Sequence, residues 1–137
     1  MREIKFRGFT INEEKFDNGK DGWIYGNLSI LDDGTVDIQD INDENWFKAV
    51  NPESVGQYTG LHDKNGKEIY EGDILQIDIN TAYVKHNDKY GYFQLIPIED
   101  YYFDSDVIGQ ALEYLESEVI GNIYDNKNLL GGKNGQD

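Results

Sequence analysis

The apolar residues of this chain come in short runs that alternate with polar ones and are cut every few residues by glycine and by Asn-Gly or Asp-Gly pairs. That rhythm leaves little room for long helices and points to short strands joined by tight turns. Residues Arg2 to Phe9 read as a first strand, with Ile4 and Phe6 on one face and Glu3, Lys5 and Arg7 expected to face water. A polar, glycine-bearing connection over Asn12 to Gly22 leads to Trp23–Leu31, where Ile24, Leu28 and Ile30 share a face. The Asp32-Asp33-Gly34 turn and the alternating Val36 and Ile38 complete a hairpin.

The acidic and amide stretch Asp40 to Asn45 interrupts the pattern, and Trp46-Phe47 with Val50 returns as a short strand. Asn51-Pro52-Glu53-Ser54 has the chemistry of a helical start: Asn caps, proline suits the first position, and Glu favours the first turn. Asn65-Gly66 predicts a hairpin turn through positive φ angles, and Glu71-Gly72-Asp73 a second corner. A meander follows, with strands over Ile74 to Ile79, Ala82 to His86 and Tyr92 to Leu95, which suggests a small barrel. One helix is expected from Ser105 to Ser117, because Val107, Ile108, Ala111, Leu112 and Leu115 form one stripe. Val119 to Tyr124 reads as a last strand, and residues 131–137 have nothing to bury and are expected to be disordered.

Charge and composition narrow the function classes. Twelve basic against 27 acidic residues leave a formal net charge of −15, which repels phosphate backbones and makes duplex DNA a poor partner. The absence of cysteine excludes disulfides, thiolate nucleophiles and Cys-ligated metals, and suits a reducing cytoplasm. The first residues carry charges where a signal peptide needs an apolar core, and no run reaches membrane-spanning length. A cytoplasmic protein with no membrane contact is therefore expected.

No constellation with catalytic or ligand spacing stands out. Pro52-Glu53-Ser54-Val55-Gly56 has proline where a nucleophile elbow needs glycine. In a phosphate loop the segment Gly60 to Glu68 is one residue too long and places Glu68 where a Ser or Thr must bind magnesium. Asp63, Asn65 and Glu68 lack the register of a calcium loop and are read as turn-forming side chains. His62 and His86, the only histidines, are read as turn residues, and Glu71 and Asp73 as acceptors for corner amides rather than an acid and base pair. No catalytic residue, metal ligand or cofactor is expected. Of the 18 aromatic residues, most should be core or cross-strand pairs, and Tyr101, Tyr102 and Phe103 are the candidate interface.

Five blocks taken in order resemble the YopX family of phage and prophage proteins: Met1 to Gly8, Trp23 to Gly26, Val55 to Leu61, Asp63 to Ile74 and Glu118 to Tyr124. The long D-K-N-G-K-E-I-Y-E-G-D block carries most of that resemblance. It implies a mainly β protein of a bacterial host's cytoplasm, with an SH3-like barrel in its second half and a tendency to homo-oligomerise. On that expectation residues 1–50 form an N-terminal β-rich subdomain, 51–130 a barrel subdomain with the short helix, and 131–137 a tail. The resemblance implies no biochemical activity, and Tyr83-Val84-Lys85-His86 departs from the family's usual strand.

Three function classes follow. The preferred one is a non-catalytic, self-assembling interaction module whose partners are its own copies or a host or phage protein. An alternative is a small β-barrel that stacks single-stranded nucleic acid on aromatics, for which Arg2, Lys5, Arg7, Lys64 and Lys67 are a meagre basic track. A variant of the first is an acidic decoy for a host DNA-binding protein. A carboxylate-based enzyme ranks last.

Overall fold

The computed structural model describes residues 3–11, 22–98, 108–109 and 116–130. Its strands are β1 (Phe6–Phe9), β2 (Trp23–Ile30), β3 (Val36–Asp40), β4 (Phe47–Ala49), β5 (Gly56–His62), β6 (Glu68–Tyr70), β7 (Asp73–Ile77), β8 (Asn80–Asn87), β9 (Tyr92–Pro97) and β10 (Ser117–Asn122). The fold is mainly β, as the alternation requires, and it falls into two compact units, Met1–Tyr58 and Thr59–Asp137, with the boundary inside β5.

In the first unit the antiparallel strands lie in the order β4-β3-β2-β1-β5. Register pairs Phe9 with Trp23, Phe6 with Gly26 and Leu28 with Ile38. Alternation along β2 and β3 sends Ile24, Val36 and Ile38 to a core completed by Val50, with Phe6, Leu28 and Val55 packed against it. Gly26 sits so close to β3 that an added Cβ would stand 1.7 Å from the Gln39 carbonyl oxygen, so no side chain fits there. The β2–β3 hairpin turns through Asp32-Asp33-Gly34 as expected, and the Asp33 carboxylate accepts the Thr35 N–H.

Two readings of this unit are corrected. Lys5 and Arg7 are buried, whereas Ile4 is exposed. The Lys5 ammonium lies 5.0 Å from the Tyr58 ring centre and the Arg7 guanidinium 4.7 Å from that of Trp23. Aromatic faces attract these cations, and their aliphatic stems cover apolar surface, so strand parity alone assigns them to the wrong environment. A 3-10 turn does form over Pro52–Ser54, but the Asn51 side chain makes no capping bond. Ser54 acts in its place: its hydroxyl donates to the Asn51 carbonyl and accepts the Phe9 N–H.

The second unit holds the β5–β6 hairpin and a four-stranded antiparallel sheet in the order β10-β7-β8-β9. Its core is larger: Ile69, Leu75, Ile77, Ala82, Val84, Phe93, Leu95 and Ile108, with Leu61 and Val119 against them. The turn at Asn65-Gly66 is present, but only Gly66 has positive φ, at 84°. The Gly66 N–H donates to the Asp63 carbonyl and the Asp63 N–H to the Lys67 carbonyl, a longer loop than the two-residue turn expected. The meander is as read except at Ile79, which is exposed, because Asp78 at φ 57° turns the chain directly after Ile77. Of the helix expected from Ser105 to Ser117, Ile108 and Gly109 are helical and Ser117 instead opens β10; positions 105–107 and 110–115, like the expected tail 131–137, lie outside the described residues. No helix among the described residues is long and apolar enough to cross a membrane.

Candidate functional site

The residues that looked most like chemistry in the sequence are engaged in holding turns. Asp63 is 8% exposed and accepts three backbone N–H groups: Asn65 and Lys67 on Oδ1, each at 2.9 Å, and Val119 on Oδ2 at 2.9 Å. Burial, the largest single influence, pushes its pKa up. The amides of Val119, Lys67 and Asn65 together with the Lys67 charge outweigh it and hold the carboxyl below its ordinary value. This one carboxylate thus ties the 63–67 turn to β10.

Asp73, almost fully buried, accepts the Tyr70 N–H at 2.7 Å, so its corner role is as read. Glu68 accepts the Tyr70 hydroxyl. Gly66-Lys67 belongs to the hairpin, where the Gly66 N–H is spent on the Asp63 carbonyl. His86 is a strand residue rather than a turn residue; its Nδ1 is 2.7 Å from Asp88 Oδ1 and its ring packs edge-on against Phe93. Among the described residues no group of three His, Asp or Glu side chains is placed to hold a metal ion. Tyr101, Tyr102 and Phe103 lie outside the described residues.

What the sequence reading missed is an aromatic cleft of about 200 Å³ within the first unit. Trp23 and Tyr25 reach it from β2, where alternation with the buried Ile24 and Gly26 turns them to the other face. Trp46 and Lys48 enter from β4 and its approach, Asp40 from the end of β3 and Ile41 from the β3–β4 loop. Hydrogen bonds define that loop: Asp40 N–H donates to the Trp46 carbonyl, Ile41 N–H to the Tyr25 carbonyl, and Asp40 Oδ1 accepts the Asn42 N–H at 2.7 Å. Asp43 Oδ1 accepts the Asn45 N–H in the same way, so the acidic stretch is built of Asx turns.

Cations sit on the rings here. Besides Arg7 over Trp23, the Lys48 ammonium lies 6.0 Å from the Trp46 ring centre. Phe9 meets Trp23 edge-on at 5.4 Å and backs it. Trp46 and Ile41 remain substantially exposed, as does Phe47 on β4, the strand that ends the sheet order in this unit. The signal that could have found the cleft was Trp23 and Tyr25 two residues apart on one strand face, with Trp46 beside a turn-rich acidic loop.

A family model described as YopX protein matches residues 5–131, nearly the whole chain. No curated protein matches the sequence.

Proposed function

The chain belongs to the YopX family, and we propose that it is a non-catalytic module that works through protein contacts and assembles with copies of itself. The observation that carries this reading is the exposed apolar surface at the end of the first unit's sheet, where the Ala49 carbonyl accepts the Ile11 N–H but the neighbouring rings stay in water. There β4, only three residues long, ends the strand order with Phe47 53% exposed, and Trp46 and Ile41 are exposed beside it. Phe47 adds apolar area that a single chain leaves in water, and a partner's apolar surface can cover it together with Trp46 and Ile41. Two copies meeting through this surface would form a two-fold, self-complementary interface. The non-catalytic part of the reading is in keeping with Asp63 and Asp73, whose carboxylates face backbone amides. The phage or prophage source and the cytoplasmic setting remain part of this proposal, in keeping with the acidic, cysteine-free composition.

Light scattering tests it. The expected native mass is a clean multiple of 15.7 kDa, and Phe47→Lys is expected to shift it toward one chain without loss of the β circular-dichroism signal. A wild-type monomer at tens of micromolar overturns self-assembly.

A further inference from the structure

We infer that the aromatic cleft of the first unit receives an arginine side chain presented by a basic segment of a partner protein. The inference deepens the interaction-module reading by naming a partner chemistry, and it rests on four features of the cleft itself.

Size comes first. At about 200 Å³ the cleft is smaller than sites for drug-sized ligands, which start near 300 Å³, and suits one long side chain. Second, three aromatic residues line it: Trp23, Tyr25 and Trp46. The protein already uses two of these rings to hold cations, Arg7 at 4.7 Å and Lys48 at 6.0 Å, so the local field of the rings favours positive charge. Third, Asp40 lines the same space with Oδ1 taken by the Asn42 N–H. Its Oδ2 is an acceptor for the fork of a guanidinium, which stacks and hydrogen-bonds in one plane as an ammonium cannot. Fourth, the exposed Asp43 and Glu44 follow in the same loop. With Asp40 they make three acidic groups against the two cations Lys48 and Arg7, so a basic segment is attracted and phosphate repelled, in line with the net charge of −15.

Both tryptophans of the chain line the cleft, so their two indole N–H signals in an NMR titration report on it directly. The probe is acetyl-Gly-Arg-Gly amide, with the neutral isostere acetyl-Gly-citrulline-Gly amide as control and an oligothymidylate as the nucleic-acid competitor. The expected result is a saturable shift of both indoles by the arginine peptide and binding weaker by about tenfold for citrulline. Added salt should weaken binding. Asp40→Asn keeps an oxygen for the Asn42 N–H, removes the charge, and should weaken the arginine peptide to the level of citrulline. Equal response to arginine and citrulline, no response at millimolar peptide, or indole shifts produced by the oligothymidylate alone overturns the inference. Light scattering separates this from the assembly reading: a monomer that responds to the peptide sinks self-assembly and keeps the cleft, and an oligomer silent to it does the reverse.

Discussion

The two units use their apolar and aromatic residues differently. The second buries a large aliphatic core around Leu75, Ile77 and Leu95 and fastens its turns with the buried carboxylates of Asp63 and Asp73. The first has, among the described residues, a smaller buried core of Ile24, Val36, Ile38 and Val50, and sets Lys5 and Arg7 on rings while Trp46 and Phe47 face water. A carboxylate that accepts three amides is a scaffold device, since its lone pairs are spent on the fold. A ring left exposed at the end of the sheet is still open to contact. That contrast is why the proposed contacts are sought in the first unit.

Breaking the second unit's core should cost most. Leu75→Ala leaves a cavity at a fully buried site and is expected to destabilise by about 3 kcal/mol, read from urea unfolding. Gly26→Ala asks the same of the first unit by collision: a Cβ 1.7 Å from the Gln39 carbonyl must push β2 from β3. The expected loss is about 2 kcal/mol, with faster amide exchange along the β2–β3 ladder. If Gly26→Ala were neutral, the close pairing of those strands would be wrong.

Asp63→Asn is expected to cost about 2 kcal/mol at neutral pH, because an amide must turn a donor toward amide donors that now meet carboxylate oxygen. The pH dependence has a definite sign. The folded-state pKa lies below its ordinary 3.8, so the ionised carboxylate stabilises the fold above that value. The contribution is lost as pH falls through the depressed folded value, where the unfolded chain takes up the proton more readily. The stability gap between wild type and Asp63→Asn should therefore be constant from pH 7 to about 5 and close in stronger acid. A gap independent of pH down to the acid transition would remove Asp63 as the clamp. Smallest in stability is Phe47→Lys, expected within about 0.5 kcal/mol because the residue is largely in water, while its effect on native mass is the whole point of the change.

Much of the scaffold is legible from residues alone. The turns at Gly34, Gly66 and Gly72, the meander of β7 to β9, and the acceptor role of Asp73 follow from turn chemistry and period-two alternation acting over a few neighbours. The cleft was not legible, because its parts stand at residues 23–25, 40–41 and 46–48, and only the antiparallel register brings them to one place. The same holds for the third bond of Asp63, to an amide 56 residues away.

By itself, then, the sequence determined a mainly β chain, its turn positions and its family, since these depend on backbone preferences and on motifs local in the chain. Tertiary structure alone decided that Lys5 and Arg7 go inside against Tyr58 and Trp23, that Asp63 reaches β10, and that Trp23, Tyr25 and Trp46 wall one cleft. Burial of a charge and convergence of aromatics depend on which distant residues strand pairing sets side by side, and hydrophobic periodicity carries no information on that.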